Sequence, residues 1–317
     1  MIYNFNIDKE NFIQTNIYNK SSKELVVGLK EYHRYWYDLI VFPNAVSEYF
    51  NSRELITKKL SKLKKEIETC FQKHFVYFIL SRKIIRFNTF SKPIVIGNEI
   101  HLSISIGKEK EIKDIKIKLD IKPYKVELLD KYITIWESKY CKSTFTIHEF
   151  IDSCDIDLGI ANKVEYVGYT RNPEIRPTNG SHTGLSDTLY KVSTDENDIF
   201  ILFNIFETLT SGIDDKKSPF IVMNSIEVRI EGLLLEKCFI VYFNSDNQAR
   251  NKITEHTQLI KTLKSLNIKS VIINYELSKS NDYSIFESSH RKKSTRHFFK
   301  IQIINNKIKI DELSNPF

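Results

Sequence analysis

The chain has 317 residues, 41% hydrophobic and 12% aromatic, enough to bury a proper core and, at ~100–200 residues per domain, to form two domains. Nine glycines and seven prolines exclude a collagenous or linker-rich protein, and the apolar content excludes wholesale disorder. The formal charge of +7 permits a nucleic-acid partner without demanding one, since lysine supplies most of the basic residues alongside abundant isoleucine and asparagine.

Cys70, Cys141, Cys154 and Cys238 are scattered, so neither a zinc knuckle nor a disulfide framework follows from their spacing. No charged leader precedes an apolar core at the N-terminus, and no run approaches ~18 apolar residues. A reducing cytoplasm is the expected compartment, with no membrane partner.

Residues 1–90 read as a mainly helical region. Within it, Tyr32–Tyr37 interleaves aromatic and basic side chains in what reads as a short helix running to Ile40. Such a segment either packs against another helix or stacks on bases. Leu55, Leu60, Leu63, Ile67 and Phe71 recur at threes and fours, which predicts a helix within 52–85 carrying Lys58, Lys59, Lys62, Lys64 and Lys65 around it.

Residues 91–145 read as β-rich. Pro93–Ile96, His101–Ile106, Ile112–Ile121 and Lys131–Trp136 alternate or nearly alternate, as strands of an antiparallel sheet do.

The third region, 146–317, opens with a short helix at Thr146–Ile151. Val164–Thr170 then reads as a half-buried strand. Gly168 in it removes the Cβ where a backbone or a phosphate comes close. Asn172-Pro173 is a turn signal, and beyond it Arg176 offers a planar fork suited to phosphate, with His182 following. Asp198–Asn204 is a central strand, Thr208–Pro219 a loop, and Asn224–Phe243 a strong helix capped by Asn224 or Ser225. On that helix Glu231 lies one turn from Leu234 and Leu235, so its carboxylate is either partly buried or aimed into a cleft. A helix (Ile253–Leu266), a strand (Lys269–Tyr275) and a hairpin near 298–311 turning at Asn305-Asn306 complete the chain. The densest basic cluster, His290–His297, holds Arg291, Lys292, Lys293 and Arg296. Together with Arg171 it is expected to contact a phosphate backbone, a solvated loop being the alternative.

Tyr166, Arg176, His182 and Glu231 make a chemically sufficient set for cutting a phosphodiester. That reaction needs an activated water, a metal anchor and a cation on the developing negative charge. Tyrosine or histidine assists proton transfer, glutamate holds a hard cation, and arginine clamps phosphate. Neither a P-loop, a G-x-S-x-G nor a G-x-G-x-x-G competes with it.

Tyr166-Val167-Gly168-x-Thr170, followed by Asn172-Pro173 and Arg176, resembles the second half of the GIY-YIG nuclease signature. Glu231, Leu234, Leu235 and Asn244 resemble the family's later helix, with its metal-binding glutamate and a following asparagine. The resemblance covers roughly residues 130–245. It implies an α+β chain, in which an N-terminal helical and antiparallel β region precedes a GIY-YIG-like α/β domain with a small central sheet flanked by helices. It further implies a magnesium- or manganese-dependent endonuclease acting on nucleic acid, DNA in the first instance. Tyr166, Arg176, His182 and Glu231 would be catalytic, Glu231 would hold the metal, and Glu227 and then Glu236 would be its rivals. The first-strand GIY has no counterpart in Asp155–Ala161, leaving Tyr132 or Tyr140 as its source. The alternative is a non-catalytic nucleic-acid or protein interaction module on the same scaffold.

Overall fold

A computed structural model describes residues 13–44, 50–176, 183–192, 195–213, 218–279 and 281–314. Its centre is a ten-stranded mixed sheet that curls into a half-barrel. The members are β1 (Lys23–Trp36), β2 (Phe75–Lys83), β10 (Asn162–Thr170), β11 (Asn197–Ile213), β12 (Pro219–Met223), β13 (Ile268–Glu276), β14 (Phe286–Ser288), β15 (Arg291–Ser294), β16 (Arg296–Ile304) and β17 (Lys307–Glu312). Their order is β15-β14-β10-β2-β11-β1-β13-β16-β17, with β12 paired to the far part of β11. Two small antiparallel sheets lie between β2 and β10 in sequence. One holds β3 (Ile85–Phe87), β4 (Ile94–Ile96), β5 (Glu99–Ile106) and β6 (Glu111–Lys118). The other holds β7 (Lys125–Leu128), β8 (Tyr132–Trp136) and β9 (Lys142–Thr146).

The helices are α1 (Asn16–Lys20), α2 (Asp38–Val41), α3 (Ser52–Glu66), α4 (Ile147–Ser153), α5 (Thr183–Lys191), α6 (Val228–Phe243) and α7 (Lys252–Ser265). β2 is buried from Phe75 to Arg82 because both faces of the sheet are covered there. Val76, Phe78 and Leu80 face α6 and α7, joining Leu234, Phe239, Phe243 and Leu259 in the larger core. Phe75, Tyr77 and Ile79 face α3, joining Ile56, Leu60, Leu63 and Ile67 in the smaller one. α6 is buried almost all round, since it lies between the sheet and α7.

This architecture overturns the expected fold class. There is no small central sheet flanked by helices; the molecule is mostly β, with one large curled sheet. Of the strands at the middle of that sheet, β1 and β2 come from the first 90 residues and flank β11 from the second half of the chain. Tyr32–Trp36 belongs to a strand, paired from Lys23 to Trp36 along β11, and the expected helix forms only over Asp38–Val41, with Tyr37 at its N-cap. The helix expected within 52–85 stops at Glu66, passes through one π turn (Ile67–Phe71) and gives way to β2. Phe75–Leu80 is a continuous apolar run, and such a run carries no period that separates strand from helix. Thr208–Ile213 extends β11 where a loop was expected, and β12 returns alongside it. Among the described residues no helix is long and apolar enough to cross a membrane.

Candidate functional site

β10 and β2 pair antiparallel, with Gly168 opposite Tyr77 and Thr170 opposite Phe75. A register shift between Val164 and Tyr166 inserts Glu165 as a bulge. Its buried carboxylate accepts from Ser81 Oγ at 2.7 Å and Asn247 Nδ2 at 2.6 Å. The bulge turns Tyr166 toward the α3 face, while Val164 and Val167 stay on the α6 face. There Tyr166 stacks on Tyr77, ring centroids 6.0 Å apart and planes at 29°. Gly168 is required by that pair: a Cβ on it would lie 2.4 Å from Tyr77 Cζ. The close approach foreseen at Gly168 is therefore that of a tyrosine ring.

The other edge of β10 is satisfied by side chains. Gln248 Nε2 donates to Val167 O at 2.6 Å, and Val167 N donates to Gln248 Oε1 at 3.0 Å, as a neighbouring strand would. One residue pair further on, the backbone of Tyr169 hydrogen-bonds the carboxylate of Glu236 on α6. Burial pushes the Glu236 carboxyl up to about 7; Lys237, the Tyr169 amide and Arg176 pull the other way, while Glu255 adds to the rise. Lys237 is itself paired with Glu255 at 3.3 Å. Among the described residues Glu236 has no ion-pair partner.

Arg176 follows a turn in which its N–H donates to Asn172 O at 2.9 Å. Thr170 Oγ1 accepts from Asn172 N at 3.0 Å, and Lys64 of α3 donates to Asn172 Oδ1 at 2.6 Å. Arg176 is exposed, and its charge is felt by Tyr77, Tyr166 and Glu236. Both tyrosine hydroxyls are pushed up, chiefly by burial. The Arg176 charge thus acts on two stacked tyrosines and on a carboxylate pushed up toward neutrality beside β10.

No protein-family model, curated protein or solved structure matches this chain.

Of the expected site residues, Tyr166 feels the charge of Arg176, while Glu231 is held elsewhere by Lys73. Glu231 is 3% exposed, and both its oxygens accept from Lys73 Nζ, at 2.5 and 2.7 Å. The void beside them, about 10 Å³ and walled also by His74 and Gly232, has room for no more than about one water. Nearby, Tyr169 lies across Gly232, where a Cβ would fall 2.3 Å from its ring, and hydrogen-bonds His74 Nδ1. Glu227 caps α6 by accepting from Arg229 N and Ile230 N, in place of the expected Asn224 or Ser225. Asn244 is the left-handed C-cap of the same helix. His182 lies outside the described residues. Tyr132 is buried on β8 and Tyr140 is 96% exposed in a turn; the tyrosine beside Tyr166 is Tyr77. Sequence reasoning missed it because β2 was read as the end of a helix.

The basic cluster belongs to strands β15 and β16 and lines a cavity of about 420 Å³. Arg291 is engaged with Glu312 at 3.0 Å and stacks over Tyr242, and Arg296 donates to Asn274 at 2.7 Å and pairs with Glu276 at 3.5 Å. Lys292 and Lys293 are exposed. Arg171 pairs with Glu68 at 3.1 Å.

Proposed function

We propose that this chain hydrolyses phosphodiester bonds of nucleic acid, with Glu236 as the carboxylate of the site. The observation that carries the reading is the Tyr77–Tyr166 stack on β2 and β10, with the Arg176 charge acting on both hydroxyls and on Glu236, which the Tyr169 backbone holds beside β10. The likeness to GIY-YIG nucleases is kept for Tyr166 and Arg176 only, since Lys73 holds Glu231 and the half-barrel is not the fold that likeness implied.

The donor sets bear on which glutamate suits a divalent cation, although no group of three or more His, Cys, Asp and Glu side chains that could hold one is found among the described residues. Glu231 does not, because Lys73 occupies both oxygens in a buried pair. Glu236 does: it is a hard oxygen ligand free of ion pairs among the described residues, and magnesium commonly takes one or two carboxylates with waters and substrate phosphates. A bound magnesium or manganese ion would supply charge neutralisation and a more acidic water. Arg176, exposed at the rim, is placed to hold non-bridging phosphate oxygens through its fork. The Tyr166 hydroxyl keeps its proton at neutral pH, so its role is to donate a hydrogen bond and orient water or phosphate.

The test is cleavage of plasmid, single-stranded DNA and RNA with magnesium or manganese by wild type, Glu236→Gln, Arg176→Ala and Glu231→Gln. Glu236→Gln and Arg176→Ala are each expected to lose ~100-fold or more in rate, the scale of losing one charge-stabilising group. Undiminished cleavage by both variants would remove the proposal. A second reading, nucleic-acid binding without hydrolysis, is favoured by the Lys73–Glu231 pair, which withdraws the expected metal ligand. It calls for salt-sensitive binding and no metal-dependent products.

A further inference from the structure

A cavity of about 840 Å³ opens over the second half of β1, and Glu236 does not line it. Its floor is the second half of β1. β13 pairs with β1 only from Lys23 to Gly28, so from Glu31 to Trp36 no strand among the described residues is bonded to that edge. The walls are the N-terminal half of α3, the helix α4 and one face of β8–β9, where Thr134 and Thr144 stand opposite each other.

We propose that this groove binds a single strand of nucleic acid. The inference rests on the preceding reading only in taking nucleic acid as the ligand. Three features point to that occupant. Tyr32, Tyr35 and the 43%-exposed Phe50 give the groove aromatic surface, on which bases stack without regard to sequence.

Its acids are already engaged and some of its cations are not. Asp152 accepts from Arg34 at 2.8 Å and from Asn281 at 2.7 Å, and Glu149 closes the capping box of α4. Lys59 and Lys142 are exposed and have no ion-pair partner among the described residues. The groove therefore presents net positive charge to a phosphate backbone.

Its floor also offers unused donors. The Trp36 indole is 3% exposed, lines the groove, and its Nε1 has no hydrogen-bond partner. The unpaired edge of β1 adds backbone N–H and C=O groups of the kind that base edges match. The volume suits a few stacked bases, as small-molecule sites run to about 1,000 Å³.

α3 connects this groove with the catalytic edge. Lys59 lies at the groove, while Lys64 bonds Asn172 and Glu174 beside Arg176. A helix of 15 residues is about 22 Å long. A strand held in the groove would run along α3 past Lys62 and Lys65 toward Arg176.

The experiment measures binding of fluorescein-labelled 15-nucleotide DNA and RNA to the full chain in EDTA, over a range of salt. Lys59→Ala/Lys142→Ala should weaken binding ~10-fold or more and reduce the salt slope by about 1.4, at ~0.7 per phosphate contact on single strands. Phe50→Ala should weaken it by about 5–100-fold, the loss expected for one stacking partner. All three positions are exposed, so unchanged melting temperatures will show that the variants fold. Binding should quench the Trp36 fluorescence, a signal absent from Trp36→Phe. Binding is read in EDTA and cleavage in magnesium, so failed cleavage and failed groove binding are separately visible. Wild-type affinity in the groove variants, or a loss confined to Lys292→Ala/Lys293→Ala, would overturn the proposal. So would hydrogen-exchange protection of the 31–36 amides by an extended peptide but not by the oligonucleotides.

Discussion

Glu231 and Glu236 stand on the same helix, and their surroundings give them opposite chemistry. Glu231 is paired with Lys73, a buried pair whose separation leaves one partner stranded. Glu231→Ala should therefore cost about 3–5 kcal/mol in urea unfolding, with Lys73→Met/Glu231→Leu recovering most of the loss. A small effect for the single change would show the pair to be solvated. Glu236 is the reverse case. Its folded-state pKa of about 7 lies above the ordinary 4.5, so between those values the folded state holds more protons than the unfolded one. Stability from this group is thus lost as pH rises from about 4.5 to 7. Glu236→Gln, which removes the titration, should be stabilised relative to wild type at pH 8 by about 1–2 kcal/mol and gain little at pH 5. A melting-temperature difference that stays flat across this range would contradict the assignment. Cation binding at Glu236 should strengthen through the same window, since the proton and the cation compete for the carboxylate.

At the scale of elements, the β10–β2 pair positions the candidate site, and Gly168 is its most sensitive position. Gly168→Ala would drive a Cβ into the Tyr77 ring, which is fully buried and stacked on Tyr166, so the ring has nowhere to retreat. The expected cost is about 1–3 kcal/mol, with a changed near-ultraviolet tyrosine signal; wild-type stability would mean the ring can turn aside. β10, β13 and the β16–β17 hairpin were legible in the sequence. Val164–Gly168 and Val271–Tyr275 are rich in β-branched and aromatic residues, and Asn305 and Asn306 both take positive φ at the hairpin turn. β1 and β2 were not. Tyr32–Trp36 mixes aromatic with charged residues and lines a groove, and Phe75–Leu80 is apolar on both faces because both are covered. Neither condition produces a local period.

At the scale of the molecule, the chain closes on itself through contacts between distant segments. Arg82 of β2 and Asp282 form a wholly buried pair at 2.9 Å, and Arg291 of β15 reaches Glu312 of β17, joining the two ends of the strand order. The strands flanking β11 in the centre, β1 and β2, come from the first 90 residues. A fragment of residues 146–317 would lack both and expose the apolar faces of β10, β11 and β13. It should not fold alone, as judged by circular dichroism and amide dispersion. Cooperative unfolding of that fragment would show that the sheet tolerates their loss.

The sequence by itself determined the ingredients: the β10 strand with its glycine, the turn before Arg176, and an amphipathic helix and buried helix rich enough to cover a sheet. Those are local facts, written in residue type and spacing over a few positions. Only the tertiary structure decided which carboxylate the Tyr169 backbone holds, which tyrosine stands beside Tyr166, and that one curled sheet takes its strands from both ends of the chain. Those choices depend on the bulge at Glu165, on Lys73 reaching Glu231 from 158 residues away, and on strands paired across most of the chain. None of these is visible in a window of sequence, because each is fixed by the partner that burial brings to it.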